Sequence, residues 1–453
     1  MLTTHRRMLI DRLSSKKLRL RKALSQLRST LRNHLSFRWL NWVLIGTLVF
    51  SSSIGLDRAM GAEPVADDFQ WNLPGWVPKP VVPEDNPMNA AKVELGRRLF
   101  YDSRLSATGD FSCATCHIQA LAFTDGEKVS VGATGQVHPR NSMSLTNAGY
   151  NSVQTWANPL MQHLEQQMLV PLFGEEPVEL GMAGKEAELI KNLQNDANYQ
   201  VLFNESFPEQ ASVSVRNISR AIAAFERTIV SFNSPYDSYR YGGDSTAISE
   251  SAKRGEALFT SERMECFHCH SGLNFSDSAR HERSGFVEIA FHNTGLYNID
   301  GKGAYPPNNT GVEEITLEAS DVGRFRAPTL RNIAVTAPYM HDGSIDTLSE
   351  AIDHYAAGGR TITEGPNAGI GSENPLKSSF IKGFEISESE RQDLIAFLES
   401  LTDEQFLTNS ALSDPNFGDE PQSNKSRSAE SRSARSNALG KCQQCKYDKK
   451  PAA

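Results

Sequence analysis

The chain has 453 residues, of which 39% are hydrophobic and 22% are charged, so it has room for two or three globular domains with a sizeable core. It carries 54 acidic and 46 basic side chains, a net charge of −8, and this balance argues against nucleic acid as a partner. All six cysteines occur in Cys-x-x-Cys pairs, which points to a chemical role for the thiols.

Residues 1–62 differ in composition from the rest of the chain. They contain 12 of the basic residues, an apolar run at Trp42–Phe50 and small residues at Ala59–Ala62. This order predicts a signal peptide with a long basic n-region, and therefore export to the periplasm. An uncleaved anchor is the alternative, because the run extended to Leu56 approaches membrane-spanning length, and only then is a membrane a partner. Cleavage would leave a net charge of −18, since only two acidic residues leave with the 12 basic ones.

Two cysteine pairs are each followed directly by histidine. Cys113-Ala-Thr-Cys116-His117 is typical of covalent c-type haem attachment, in which two thiols form thioethers with the vinyl groups and the imidazole binds the iron. The same motif recurs as Cys266-Phe-His-Cys269-His270. The sequence therefore predicts two covalent haems. A redox dithiol or half of a zinc site is the alternative reading of either pair.

The surroundings of the two motifs also repeat. Gly96–Phe100 and Gly255–Phe259 share a Gly-x-x-Leu-Phe pattern, each within 20 residues of a haem motif. Each half closes with an amphipathic helix, predicted over Ile218–Ile229 and Ser389–Leu401. An internal duplication is the economical interpretation.

Strand signals are sparse, so we predict a mainly α fold of two cytochrome c-like domains with long loops and little sheet. Residues 63–89, rich in Pro, Asp and Trp, are expected to form an extended arm, and helical periodicity begins at Ala90–Phe100. The N-terminal haem domain is predicted over residues 90–240 and the C-terminal one over 241–402, with the turn-rich segment Asn233–Gly243 between them.

Residues 403–453 are rich in Ser, Asn and Arg and lack apolar periodicity, which predicts a disordered tail. Cys442 and Cys445 lie in this tail without a following histidine. A disulfide or no role is therefore favoured over a third haem.

Two such motifs in one exported chain resemble the bacterial di-haem cytochrome c peroxidase and MauG superfamily. The resemblance covers about Trp71 to Thr402. In the second half it rests on Phe325-Arg-Ala-Pro-Thr-Leu-Arg-Asn332 and Thr336-Ala-Pro-Tyr-Met-His-Asp-Gly343. Three further segments are similar to the MbnH-type subgroup, whose function is the oxidation of a tryptophan on a partner protein: Trp156–Leu160, Pro171–Gly181 and His354–Gly359.

The resemblance implies that the N-terminal haem is the site where hydrogen peroxide reacts. The family's distal histidine position is occupied by Ala133, so the iron is expected to keep an open coordination position. His138 is the alternative ligand there, against a surface or haem-edge role. Glu179 matches the distal glutamate, a candidate general acid and base because O–O cleavage needs a proton moved between the two oxygens. Gln167 and Pro171 are expected to line the same pocket.

At the C-terminal haem the resemblance implies a different sixth ligand. Tyr355 stands where the peroxidases have methionine and MauG-like enzymes have tyrosine, and an anionic oxygen ligand stabilises the higher oxidation states of iron. A half-buried, hydrogen-bonded helical tyrosine is the alternative. Trp156 matches the tryptophan between the two haems, an electron relay, although by itself it could be a core aromatic.

Two further binding roles follow from the resemblance. Asn141, Thr336 and Pro338 match positions that hold a calcium ion, Thr336 and Pro338 through carbonyl oxygens, which suit a hard cation. Arg331 is expected to pair with a haem propionate, because its fork fits a carboxylate, with ordinary surface pairing as the alternative.

Three functions remain open on this basis. The first is a MauG- or MbnH-like oxidase that uses peroxide to oxidise a side chain of a partner protein. The second is a conventional peroxidase that reduces peroxide with electrons from a small redox protein. The third is a non-enzymatic di-haem electron carrier. Tyr355 and Ala133 favour the first over the second, and the Pro171 to Glu179 pocket disfavours the third.

Overall fold

The structure, a computed structural model, describes residues 69–415. This part of the chain is mostly helical with little sheet, which confirms that part of the fold prediction. Its α-helices are α1 Ala90–Tyr101, α2 Cys113–Cys116, α3 Leu164–Gln167, α4 Leu169–Phe173, α5 Glu186–Gln194, α6 Ala197–Ser206, α7 Val215–Arg227, α8 Pro235–Arg240, α9 Glu250–Phe259, α10 Glu313–Thr316, α11 Leu348–Ala356, α12 Glu388–Glu399 and α13 Glu404–Thr408.

Short 3-10 turns and one small sheet complete the regular structure of these residues. The 3-10 turns are Ser103–Leu105, Gln119–Leu121, Ala148–Tyr150, Cys266–His268, Ala319–Asp321, Ile333–Val335 and Gly371–Glu373. Strands β1 Thr361–Ile362 and β2 Gly369–Ile370 pair antiparallel, with Thr361 opposite Ile370. None of the described helices is long and apolar enough to cross a membrane.

Helix α1 confirms the helix predicted from Ala90. It begins where the Asn89 side chain accepts a hydrogen bond from the Lys92 amide, at 2.7 Å. Its apolar face is buried, and Gly96 on that face meets α7: a Cβ there would lie 1.9 Å from the Ala221 carbonyl oxygen. Only glycine allows the two helix backbones to approach this closely.

The second motif is preceded and followed by a similar helix pair. Gly255 of α9 faces α12, where a Cβ would lie 2.0 Å from the Asp393 carbonyl oxygen. The predicted closing helices are both present with shifted ends. Helix α7 begins earlier than predicted because Ser214 caps it, and α12 begins at a capping box formed by Ser387 and Glu390.

The turn-rich segment at residues 233–243 is partly helical, which the sequence interpretation missed. Ser234 and Asp237 form a capping box, and Pro235 occupies the first helical position of α8. Residues typical of turns are also those that start helices, so composition alone misjudged this segment.

Two large apolar clusters flank the two motifs. The first contains Leu95 and Phe100 of α1 with Phe225 of α7, and the second contains Phe259 of α9 with Phe397 of α12. Each cluster packs against a cysteine of the adjacent motif. The division of residues 90–402 into two duplicated haem domains stays a prediction that this arrangement supports.

The disorder predicted from residue 403 is wrong for its first part. Asp403 caps α13, and Phe406 and Leu412 are buried in the first apolar cluster. The Phe406 ring lies 5.7 Å from that of Phe123. Two apolar anchors are enough to fix this short segment although it lacks helical periodicity. Residues 416–453, with Cys442 and Cys445, and the predicted signal peptide lie outside the described residues.

The described part of the predicted arm, residues 69–89, contains neither helix nor strand. It packs against the following residues of the chain through specific contacts. Trp76 stacks on Tyr241 with ring centroids 3.8 Å apart, and the Tyr150 hydroxyl donates to the Pro78 carbonyl at 2.8 Å.

Candidate functional site

The first haem motif forms a single helical turn. Ser112 and Thr115 make a capping box around α2, and the His117 amide donates to the Cys113 carbonyl. His117 Nδ1 lies 2.8 Å from the Phe123 carbonyl oxygen, so Nδ1 carries the hydrogen and Nε2 is left as a ligand atom. Burial lowers the pKa of His117, which keeps the imidazole neutral and able to bind a metal.

The histidine of the second motif has similar surroundings. Glu265, in the left-handed conformation at φ 59°, starts the 3-10 turn Cys266–His268. His270 Nδ1 lies 3.1 Å from the Phe275 carbonyl oxygen, which again makes Nε2 the candidate ligand atom. Burial also lowers the pKa of His270.

The four cysteines of the two motifs are not joined to one another in disulfides. Burial raises the pKa of Cys113 and of Cys266. A redox-active dithiol needs a thiol with a lowered pKa, so these surroundings disfavour that alternative. Two thiols beside an imidazole whose Nε2 is the candidate ligand atom, all lining one cavity, fit a covalently attached haem.

The residues predicted for the peroxide site line one cavity, which we call the N-terminal cavity. Its wall includes the first haem motif together with the predicted pocket residues, namely Cys113, Cys116, His117, Gln167, Pro171 and Glu179. Gln167 comes from α3 and Pro171 from α4, and the Leu180 amide donates to the Pro171 carbonyl at 2.9 Å. This bond ties the Glu179 segment to α4.

Ala133, in the loop before Asn141, occupies the position of the family's distal histidine, and its methyl side chain cannot bind an iron. The Ala133 methyl packs against the first apolar cluster, and its amide donates to the Glu179 carbonyl at 2.7 Å. His138 does line the N-terminal cavity. Its Nε2 lies 3.0 Å from Glu179 Oε1, so its close neighbour is the carboxylate.

The second motif and Tyr355 line another cavity, the C-terminal cavity. Tyr355 lies on α11 and faces this space together with Cys266, Cys269 and His270. Burial, followed by the nearby Cys269 and Cys266, raises the pKa of Tyr355. Its hydroxyl therefore keeps its proton unless a bound cation offsets the charge of the phenolate.

Trp156 lines both cavities. Its indole Nε1 donates to the Asn141 carbonyl oxygen at 2.9 Å, which fixes the ring between the two spaces. Met143 and Asn151 also line both cavities.

The predicted calcium ligands lie together on the wall of the C-terminal cavity. The Asn141 amide donates to the His341 carbonyl at 2.8 Å, which brings Asn141 to the loop of Thr336 and Pro338. The Asn141 side-chain nitrogen donates to the Glu127 carbonyl, so its oxygen points elsewhere and could take a cation. The calcium site stays a prediction.

Arg331 is buried and lines neither the N-terminal nor the C-terminal cavity. It is 1% exposed, and its guanidinium donates to both carboxylate oxygens of Asp237, at 2.8 and 3.0 Å. The predicted pairing with a propionate would have to share this guanidinium with Asp237. Arg326, in the same motif, does line the C-terminal cavity and donates to Asn151 Oδ1 at 3.1 Å.

Two other titratable side chains in the cavity walls were not predicted from the sequence. Glu226 of α7 is 1% exposed and lines the N-terminal cavity, and burial raises its pKa to about 8. His292 lines the C-terminal cavity with its Nε2 2.6 Å from Asp277 Oδ2. Glu226 could have been identified from the sequence as an acidic residue on the buried face of the amphipathic helix predicted over Ile218–Ile229. No local pattern marks His292.

A family model described as di-haem cytochrome c peroxidase matches residues 90–246. The methylamine utilization protein MauG of Methylorubrum extorquens is 34% identical over 322 residues, which cover 70% of this chain and 80% of MauG. The cytochrome-c peroxidase IdrP1 of Pseudomonas sp. (strain SCT) is 34% identical over 359 residues, 76% of this chain and 87% of that protein. The chain belongs to the di-haem cytochrome c peroxidase and MauG family, which confirms the predicted resemblance.

The chain is accordingly an oxidoreductase enzyme of this family. Among solved structures, a MauG-like protein associated with microbial copper homeostasis has a TM-score of 0.75 and 48% sequence identity. The match covers 77% of this chain and 99% of that one.

Proposed function

We propose that the protein uses hydrogen peroxide to oxidise a side chain of a partner protein, in the manner of MauG. The observation that carries the proposal is the position of Tyr355. It faces the same cavity as His270, so one oxygen and one nitrogen donor are available to a single iron. Two protein ligands would close that iron to peroxide and make it a store of oxidising equivalents.

The bound haems supply iron chemistry with peroxide, and the residues of the N-terminal cavity supply the proton transfer. In the proposal Glu179 takes a proton from one peroxide oxygen and returns it to the departing one. Gln167 and Pro171 confine the peroxide beside it. With Ala133 at the distal position, no histidine has to leave before peroxide can enter.

Trp156 is proposed as the relay between the two haem sites. Its ring lines both cavities, and an oxidisable indole divides one long electron transfer into two shorter ones. In the same proposal Cys113, Cys116, Cys266 and Cys269 carry the two haems within two cytochrome-like halves. Calcium at Asn141, Thr336 and Pro338, and export to the periplasm, belong to the proposal as well.

The relatives support an oxidase of the MauG kind, because both MauG and the MauG-like structure are similar over most of their own length. The second candidate is a peroxidase supplied with electrons by a small redox protein. It is favoured by IdrP1, which is named a cytochrome-c peroxidase and is as similar as MauG. A pure electron carrier is the weakest candidate, because electron transfer alone does not require an acid such as Glu179 in the N-terminal cavity.

A turnover comparison separates the first two candidates. Purified holoprotein is mixed with hydrogen peroxide alone and with added reduced small cytochrome c. An oxidase of protein side chains should consume the cytochrome slowly, at no more than a few per cent of a dedicated peroxidase. Rapid, peroxide-dependent oxidation of the cytochrome would reject the proposal in favour of the second candidate.

A further inference from the structure

We infer that His138 is a positioning residue that holds the carboxylate of Glu179 at the peroxide site. The inference rests on the proposed function, because it takes Glu179 as the acid and base of that reaction. Its starting point is the distance of 3.0 Å between His138 Nε2 and Glu179 Oε1. Both side chains line the N-terminal cavity, as does His117.

The loop that carries His138 is folded back on itself. The His138 amide donates to the Ser130 carbonyl at 2.9 Å, and Val131 and Val137 form an antiparallel bridge. Within the loop, the Gly132 amide donates to the Gln136 carbonyl at 2.8 Å. These bonds fix the direction in which the His138 side chain leaves the backbone.

The same loop is joined directly to the segment that carries Glu179. The Gln136 side chain accepts from the Val178 amide at 2.8 Å, and the Ala133 amide donates to the Glu179 carbonyl at 2.7 Å. At Gly132 the approach is so close that a Cβ would lie 1.9 Å from the Val178 carbonyl oxygen. The two backbones cannot slide past each other, so the segments that carry the imidazole and the carboxylate are held at a fixed separation.

His138 Nε2 has no other hydrogen-bond partner among the described residues. Its Nε2 is buried and lacks an aligned hydrogen-bond acceptor, and the nearest carboxylate oxygen is that of Glu179. A small rotation of the imidazole completes a charge-assisted hydrogen bond, which a buried donor strongly favours. The side chains are 25% and 32% exposed, so the pair is partly accessible to solvent.

The role of His138 follows from this contact. Glu179 has to present its carboxylate at hydrogen-bond distance from the peroxide before it can accept a proton. A hydrogen bond from His138 to one carboxylate oxygen leaves the other oxygen for the substrate. His138 itself gains and loses no atom in the reaction, and it acts through Glu179.

The test measures the second-order rate of the reaction of the diferric holoprotein with hydrogen peroxide by stopped-flow absorbance. His138→Phe should slow the reaction about tenfold, since it removes the donor and leaves the acid less well placed. His138→Gln, which keeps a donor at similar reach, should stay within about threefold of the parent protein. Val137→Ala, at a 57% exposed neighbour, is the control for damage to the loop.

A double-mutant cycle with Glu179→Gln tests whether the effect passes through the carboxylate. In the Glu179→Gln background, His138→Phe should cost less than about twofold. A parent-like rate for His138→Phe beside a slow Glu179→Gln would overturn the inference and leave the proposed function standing. A parent-like rate for Glu179→Gln would reject the acid role itself, and the inference with it.

Two further results would also overturn the inference. If His138→Gln is as slow as His138→Phe, a hydrogen-bond donor is not what matters. If His138→Phe converts a low-spin ferric signal in electron paramagnetic resonance into a high-spin one, His138 binds the iron. Should His138→Phe lose its haem, His138→Ala replaces it in the same measurements.

Discussion

At the scale of single residues, the two cavities differ in one decisive group. The N-terminal cavity is lined by the acid Glu179 together with His117, whereas the C-terminal cavity is lined by the phenol of Tyr355 together with His270. The family resemblance was sufficient to predict both residues from the sequence. The contact of Glu179 with His138 was not predictable, because 41 residues separate them and only the folded loop brings them together.

Replacement of Tyr355 tests the division of roles between the haem sites. Tyr355→Phe should abolish the doubly oxidised state formed with peroxide, because the second iron loses its oxygen ligand, while the first haem stays in place. Absorbance and electron paramagnetic resonance after one equivalent of peroxide provide the measurement. The control is Tyr339→Phe, in the same cavity wall, whose hydroxyl bonds only to the Ile333 carbonyl among the described residues. Parent-like spectra in the Tyr355 variant would disprove its role as a ligand.

Glu226 should give the protein a recognisable dependence of stability on pH. Burial raises its pKa to about 8, so between about pH 4.5 and pH 8 the folded state holds a proton that the unfolded state has lost. The free energy of unfolding should therefore fall as pH rises through this window. Glu226→Gln removes this contribution, and its stability relative to the parent should rise by roughly 1 to 3 kcal/mol from pH 5 to pH 8.

Chemical unfolding of the holoprotein at both pH values measures this difference. Glu188→Gln, an exposed acid of α5, is the control and should show no such trend. A stability difference for Glu226→Gln that is the same at both pH values would mean that the carboxyl group is charged in the folded protein.

At the scale of elements, the helices next to the motifs were predictable because apolar periodicity and caps agree there. Helix α1 starts at the predicted residue, and α7 and α12 differ only at their ends. The sequence interpretation failed where one residue type serves two purposes. Ser234 and Pro235 suit a turn and also a helix start, and only packing against the remaining chain decides between them.

The close helix crossings are expected to be intolerant of a single methyl group. Gly255→Ala would place Cβ 2.0 Å from the Asp393 carbonyl oxygen, so α9 and α12 must separate. We expect a loss of about 1 to 3 kcal/mol in the free energy of unfolding, or more if the cluster beside the second motif opens. Gly285→Ala is the matched control, because a Cβ there meets nothing within 4 Å. Equal stability of the two variants in denaturant titrations would contradict the crossing geometry.

At the scale of the whole molecule, the chain returns from the second motif to the first. Residues 403–415 follow α12 and bury Phe406 and Leu412 against the cluster beside the first motif. The sequence gives little sign of this return, since two apolar residues in a polar segment form no periodic pattern. Long-range packing of this kind depends on the position of the other cluster residues and is invisible to local sequence rules.

Loss of this contact should destabilise the region of the first motif. Phe406→Ala should cost about 3 to 5 kcal/mol, because the ring is 3% exposed and packs on Phe123. Leu160→Ala, at a side chain that is 72% exposed, should change stability by less than about 0.5 kcal/mol. Thermal unfolding of the holoproteins distinguishes them. A cost for Phe406→Ala as small as that of the control would show that the segment is not anchored in solution.

We propose an inequality between the two iron sites, one open to peroxide beside Glu179 and one closed by Tyr355. The electron paramagnetic resonance spectrum of the ferric protein as isolated tests it most directly. We expect a high-spin signal from the N-terminal haem and a separate low-spin signal from the C-terminal haem. Two low-spin signals and no high-spin signal would show that a side chain closes the first iron, and would contradict the proposed inequality.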